Sequence, residues 1–230
     1  MLIIRHADAR GQADLGWLRS QHSFSFAQYY DPRHMGVSAL RVINEDHVKP
    51  GCGFETHSHQ NMEIISYVLA GTLAHQDSYG HKRTLSAGEF QLMSAGSGIY
   101  HSEFNPSPNQ PLDFLQIWVK PAVQGGKASY QQRFFESTNG LTAIVTPDGR
   151  ESTLTIKQDT SLYRLQLTQG QNYTLPIHAG RILYMHIVQG NLQIADQLIQ
   201  DGDGITIKDE SSVPCLAQSN MEALLFDLPA

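Results

Sequence analysis

Two pairs of metal-binding side chains stand out in this sequence. His57 and His59 are separated by one residue, and His101 and Glu103 are separated in the same way. On a β-strand, side chains two residues apart point to the same face, with their Cα atoms about 6.6 Å apart. If the two segments are neighbouring strands of one barrel, three imidazoles and one carboxylate can meet inside it. Such a donor set would make a metal site.

A single His-x-His pair is weak evidence, because histidine is also common at the ends of ordinary strands. The glycines around the pairs strengthen the metal interpretation. Gly51 precedes the first pair and Gly71 follows it, while Gly88, Gly96 and Gly98 lead into the second pair. This spacing resembles the two-part signature of cupin barrels, which implies that the four side chains converge in one barrel.

Strand-length segments must position these side chains. Runs rich in β-branched or aromatic residues occupy residues 39–43, 63–69, 89–93 and 113–119, with turn residues between them. Such runs are typical of β-strands. No stretch of twelve or more residues keeps a helical period, so we predict an all-β protein with few short helices.

The second half of the chain repeats the first in outline. An apolar strand meets a glycine turn at Gly71 and again at Gly190. Two tandem copies of one antiparallel β-barrel (jelly-roll) unit explain this repeat. The linker-like composition of residues 125–129 places the boundary near residue 133. We therefore predict an amino-terminal metal-binding cupin domain over residues 1–132 and a degenerate carboxy-terminal cupin domain over residues 133–230.

The carboxy-terminal copy lacks the donors of the first. Aligning Gly190 with Gly71 puts Pro176 and His178 at the positions of the first histidine pair, and no second donor pair follows at the required distance. One possible ligand cannot hold a metal ion. We expect this unit to pack against the first barrel and to shape or cover its cleft.

Composition excludes several classes of protein. The chain has 230 residues, 40% of them hydrophobic, with a formal net charge of -6 and no basic face suited to nucleic acid. It has no run of about 18 apolar residues, so we expect a cytoplasmic protein that does not enter a membrane. Cys52 and Cys215 lie far apart in sequence and are expected to be free thiols.

We expect a monomer, because the second barrel already covers one face of the first.

Longer runs around the two pairs resemble the pirins, a bicupin family. The resemblance is carried by residues 57–63, by residues 93–103 (Met-Ser-Ala-Gly-Ser-Gly-Ile-Tyr-His-Ser-Glu) and by residues 22–26 (His-Ser-Phe-Ser-Phe). It implies a metal centre in the amino-terminal cupin. The ligands implied are His57, His59, His101 and Glu103.

Glu63 is the alternative carboxylate ligand. General cupins often take their carboxylate from a position a few residues after the His-x-His pair, which Glu63 occupies here. In pirins the carboxylate comes instead from the second motif. Glu63 would lie about 13 Å beyond His59 along a straight strand, and we therefore leave it out of the ligand set.

The donor set suggests the kind of metal and reaction. Histidine and carboxylate donors with open positions suit a redox or Lewis-acid metal rather than a closed structural zinc site. We expect Fe(II), with copper, manganese, nickel or zinc as alternatives. The resemblance implies a quercetin 2,3-dioxygenase type of activity, in which a flavonol reacts with dioxygen and its heterocyclic ring opens with release of carbon monoxide. Glu103 would serve as a ligand and as the base that takes the proton of the flavonol 3-hydroxyl.

Other functions fit the same residues. Some pirins bind partner proteins as regulators, with the metal acting as a redox-dependent switch, and a purely structural bicupin would bind no metal. Turnover of flavonols separates the enzyme from both. His22, Phe24 and Phe26 share strand parity and can form an apolar mouth for a planar ligand, although an ordinary core strand explains them equally well.

Overall fold

The computed structural model describes the whole chain, Met1–Ala230, and is built almost entirely of β-strands. Its strands are β1 (Leu2–Arg5), β2 (Gly11–Asp14), β3 (Leu18–His22), β4 (Leu40–Val48), β5 (Gly53–His59), β6 (Glu63–Ala70), β7 (Thr72–Asp77), β8 (Lys82–Ser86), β9 (Glu89–Ser94), β10 (Ile99–Phe104), β11 (Leu112–Val119), β12 (Ser129–Phe134), β13 (Gly140–Thr146), β14 (Leu154–Thr155), β15 (Ser161–Leu167), β16 (Asn172–Pro176), β17 (Arg181–Gln189), β18 (Leu192–Ile194), β19 (Gln197–Ile199), β20 (Gly204–Ile207), β21 (Ser212–Ala217) and β22 (Met221–Pro229). Two 3₁₀ helices span Ala7–Ala9 and Arg150–Ser152. The predicted all-β class with few short helices is confirmed.

The strands form two similar barrels. In the first barrel, a seven-stranded sheet ordered β12-β9-β6-β11-β4-β3-β2 faces a four-stranded sheet ordered β5-β10-β7-β8. In the second, a seven-stranded sheet ordered β1-β20-β17-β22-β15-β13-β14 faces a four-stranded sheet ordered β16-β21-β18-β19. Neighbouring strands are antiparallel except for β13 and β14. The predicted arrangement of two tandem antiparallel barrels is confirmed.

The two seven-stranded sheets pack against each other through their outer faces. Strand β11 shows why the sequence is almost continuously apolar there. Phe114 points into the first barrel, whereas Leu115 and Ile117 belong to a core cluster of 20 buried residues that includes Leu224 and Phe226 of the second barrel. Since both faces of β11 are buried, a simple alternation of apolar and polar residues is lost.

The repeat around the two glycines is visible in the backbone. Gly71 joins β6 to β7 with a φ of 82°, and Gly190 joins β17 to β18 with a φ of 81°. A Cβ atom would lie 2.4 Å from the carbonyl oxygen of Pro111 at the first glycine, and 2.3 Å from that of Asn220 at the second. Only glycine fits either turn without displacing backbone.

No single position along the chain divides the strands of the first barrel from those of the second. Strand β1 pairs with β20 and so belongs to the second barrel, although it opens the sequence. Strand β12, which contains the predicted boundary, pairs with β9 in the first barrel. We retain the division into residues 1–132 and 133–230 as a proposal, with β1 as a strand that crosses it.

Two further features of the structure concern its cysteines and its helices. Cys52 and Cys215 are both free thiols. None of the helices has the length and hydropathy needed to cross a membrane.

Candidate metal centre

Three of the predicted donors meet at the first barrel's four-stranded sheet. Strands β5 and β10 run antiparallel, and their register sets His101 directly opposite His57. The ring centroid of His59 lies 4.8 Å from that of His57 and 4.9 Å from that of His101, and the remaining distance is 4.5 Å. One nitrogen of each ring lies within 4.8 Å of the others, so the three rings are close enough together to be candidate ligands of one ion.

The fourth predicted donor, Glu103, lies deeper in the barrel. A bulge shifts the register between His101 and Glu103, so Glu103 stands opposite Phe54 rather than opposite the residue two before His57. A carboxylate oxygen of Glu103 lies within 4.8 Å of a ring nitrogen of His101 and of a ring nitrogen of His75 on strand β7. Glu103 does not form one group with all three histidines of the cluster. The assignment of Glu103 as a metal ligand therefore remains a prediction.

Three side chains hold the Glu103 carboxylate in place. The carboxylate is fully buried. Ser66 donates a hydrogen bond to Oε1 at 3.1 Å and Gln91 donates another at 2.6 Å, while Gln116 donates to Oε2 at 3.3 Å. Burial, reinforced by the negative charge of Glu103, raises the pKa of nearby Asp46 to about 7. The interior of this barrel end is therefore polar, and hydrogen bonds hold the Glu103 carboxylate within it.

The histidines are electrostatically suited to bind a cation. Burial, with a smaller effect of the neighbouring imidazoles, lowers the pKa of His59 to about 4 and that of His101 to about 3. Both rings are therefore neutral at pH 7 and have a lone pair available. The Nδ1 of His57 lies 2.7 Å from the backbone oxygen of Glu55, so Nδ1–H donates and Nε2 remains free.

His101 provides the test of whether a metal fits. Its side chain is 1% exposed, and neither ring nitrogen has a hydrogen-bond partner. Buried polar atoms are nearly always paired in folded proteins. An ion held between the three rings would bind one of these nitrogens, so the donor set fits a single divalent metal ion.

Sequence reasoning missed His75. It lies on β7 opposite Glu103, and its side chain is buried. The signal was available, because His75-Gln76-Asp77 has the same spacing as the recognised His101-Ser102-Glu103. What the sequence could not provide was the pairing of β7 with β10.

The predicted apolar mouth does not form one surface, because Phe24 and Phe26 lie in different places. Phe24 packs against Tyr184 of the second barrel at 5.4 Å between ring centroids. Phe26 instead meets Trp118 edge to face at 5.3 Å, and Trp118 meets His59 at 4.9 Å. Strand β3 ends at residue 22, so strand parity does not continue through these residues. Phe26 and Trp118 form an aromatic wall beside the histidines, whereas Phe24 is a core residue.

In the second barrel, no group of three possible metal ligands lies close together. Pro176 ends strand β16, and His178 follows it. The buried histidine of this barrel is His186, whose side chain is 1% exposed with no partner for either ring nitrogen.

The fold and the donor cluster define a two-barrel cupin with a candidate metal centre in its first barrel. Comparison with known proteins supports this class. The profile of the Pirin family matches residues 4–119, and that of the quercetinase C-terminal cupin domain matches residues 143–228. The chain belongs to the pirin family.

Full-length relatives include proteins with named activities. The chain is 47% identical over 229 residues to the quercetin 2,3-dioxygenase of Escherichia coli, covering 100% of this chain and 99% of that protein. It is 38% identical over 225 residues to a pirin-like protein of Caulobacter vibrioides, covering 96% of each. Among solved structures, the bacterial pirin YhhW of Escherichia coli in complex with nickel(II) superposes with a TM-score of 0.97 at 47% identity, covering 100% of this chain and 99% of that one.

Proposed function

We propose that the protein is a metal-dependent dioxygenase that opens the heterocyclic ring of flavonols such as quercetin. The observation that carries the proposal is His101, a fully buried imidazole without hydrogen-bond partners, which lies beside two half-buried histidines. The name of the Escherichia coli relative, quercetin 2,3-dioxygenase, supports the choice of reaction.

The proposed ligands are His57, His59, His101 and Glu103, and the proposed ion is Fe(II). Neutral imidazoles with one carboxylate come close to the donor set of non-haem iron oxygenases. The nickel(II) complex of a relative supports the choice of a divalent ion, and copper, manganese, nickel and zinc remain the alternatives. When bound, such an ion supplies the Lewis-acid and redox chemistry that brings flavonol and dioxygen to react.

The residues of the chain would orient the substrate and move its proton. Trp118 and Phe26 present an aromatic wall next to His59, against which a planar flavonol can pack. Glu103 has a carboxylate oxygen within 4.8 Å of a ring nitrogen of His101 and would accept the proton of the 3-hydroxyl group. Its three hydrogen-bond donors fix the direction of its oxygens, so the acceptor need not reorganise during the reaction.

The test is aerobic turnover by purified protein loaded with one metal at a time. Oxygen consumption and carbon monoxide release are measured with quercetin as substrate. We expect equal amounts of the two gases with wild-type protein and none with His57→Ala. His186→Leu, a buried histidine of the second barrel, is the matched control and should retain full turnover.

Two outcomes would contradict the proposal. Wild-type protein that binds a metal yet releases no carbon monoxide under any loading would point to a non-catalytic role, such as metal-dependent regulation. Turnover that persists in His57→Ala would place the reaction elsewhere in the molecule.

A further inference from the structure

The metal centre leaves one ring nitrogen of His101 unexplained. An imidazole has two nitrogens, and a metal ion can bind only one of them. The other then carries a proton, and metal-bound histidines almost always donate this N–H to a carboxylate, a carbonyl oxygen or water. In His101 both nitrogens are buried and without partners, so one N–H donor still lacks an acceptor after the ion is bound.

A matching acceptor stands on the neighbouring strand. The Nε2 of His75 lies 3.2 Å from Oδ2 of Asp77. A carboxylate only accepts, so Nε2 carries the proton of His75 and Nδ1 has the lone pair. That Nδ1 is buried and has no partner. The ring centroids of His75 and His101 are 5.4 Å apart, and a nitrogen of each ring lies within 4.8 Å of the other.

Asp77 is itself firmly held. Its Oδ1 accepts the backbone N–H groups of Tyr79 at 2.9 Å and of His81 at 3.1 Å. Its Oδ2 lies 2.8 Å from Nδ1 of His81, a ring that is 37% exposed. Tyr130 packs on both His75 and His81, at 4.7 Å and 5.3 Å between centroids. These contacts fix the position of Asp77, and Asp77 together with Tyr130 fixes the orientation of the His75 ring.

We propose that His75 is a positioning residue of the metal centre, whose Nδ1 accepts the second ring N–H of His101. This inference rests on the proposed metal site. The resulting chain runs from the ion through His101 and His75 to Asp77, and it fixes both the tautomer and the ring orientation of His101.

The alternative is that His75 binds the ion itself. That arrangement would use the lone pair of His75 but would leave the second N–H of His101 buried and unpaired, which is energetically unfavourable. The hydrogen-bonded arrangement satisfies both nitrogens at once, because one is a donor and the other an acceptor.

The experiment measures zinc(II) affinity by competition with a chelator, together with nuclear magnetic resonance of isotope-labelled histidine rings in the zinc-loaded protein. His75→Phe removes the acceptor, whereas His75→Gln offers an amide oxygen in its place. We expect His75→Phe to weaken zinc binding by about 10- to 100-fold and to abolish the slowly exchanging ring N–H signal of His101. His75→Gln should recover most of the affinity, and His186→Leu should match the wild type.

Three results would overturn the inference, and they are distinguishable. Zinc binding by His75→Phe within about twofold of wild type, with the ring signal retained, would remove His75 from the centre while leaving the metal site intact. A metal-bound chemical shift for Nδ1 of His75 would make it a ligand. Wild-type protein that binds no zinc would overturn the proposed metal site, and the role of His75 with it.

Discussion

His186 should make a large contribution to the pH dependence of the stability of the protein. This side chain is 1% exposed, and neither of its ring nitrogens has a partner. Burial, with a smaller effect of the Arg10 charge, lowers the pKa of His186 from 6.5 to about 3. Below pH 6.5 the unfolded chain therefore binds a proton that the folded chain does not bind until the pH nears 3. The free energy of unfolding must fall as the pH falls through this window.

The size of the effect follows from the same pKa values. Each pH unit inside the window costs about 1.4 kcal/mol of stability, so pH 4.5 costs about 3 kcal/mol relative to pH 7. His186→Leu removes the titrating group and replaces an unpartnered polar ring by an apolar side chain. The difference in unfolding free energy between variant and wild type should grow by about 3 kcal/mol between pH 7 and pH 4.5.

Urea denaturation of metal-free wild type and His186→Leu, followed by circular dichroism at both pH values, measures this difference. The lowered pKa values of His59 and His101 affect both proteins equally and cancel in the comparison. Curves that shift in parallel, within about 0.5 kcal/mol, would show that His186 does not have the lowered pKa. They would mean that burial without a partner does not keep an imidazole neutral in this protein, and the unpartnered nitrogens of His101 would then no longer indicate a bound metal ion.

Three further changes test the site and its scaffold. Glu103→Gln keeps the shape of the side chain but removes the proton acceptor, so carbon monoxide release from quercetin should fall by about 10²-fold or more, and a variant with full turnover would remove Glu103 from the mechanism. Gly53→Ala would place a Cβ atom 2.3 Å from the backbone oxygen of Glu103 and 2.5 Å from Cα of Phe104, which should push β5 from β10, lower stability by roughly 1–3 kcal/mol and weaken zinc binding; an unchanged thermal midpoint would contradict this. Tyr67→Phe removes the 2.6 Å hydrogen bond to Glu222 that joins the two barrels, and urea denaturation should show a loss of about 1–2 kcal/mol, whereas no loss would mean that the carboxylate finds another donor.

Much of the histidine cluster could be predicted, because strand parity is a property of the backbone alone. His57 and His59 must share a face if their segment is a strand, and the pairing of β5 with β10 then brings in His101. The predicted order of two barrels rests on the glycine turns at Gly71 and Gly190, whose left-handed backbone is a local requirement that the sequence displays directly.

What could not be predicted depends on long-range pairing. The bulge in β5 that sets Glu103 deeper than the three histidines arises from strand register, which the spacing of two residues does not contain. His75 becomes part of the site only because β7 lies beside β10. The four residues of β1 have the composition of a strand, but nothing in them specifies that they join β20 of the other barrel.

The proposed function requires that one ion is held by His57, His59 and His101. Elemental analysis of freshly purified protein, grown without added metal, tests it by comparing wild type with a variant that carries alanine at all three positions. We expect about one transition-metal ion per wild-type chain and about a tenth of that or less in the variant, with circular dichroism confirming that both are folded. Equal metal content in the two proteins, or none in the wild type, would contradict a metal site at these three histidines.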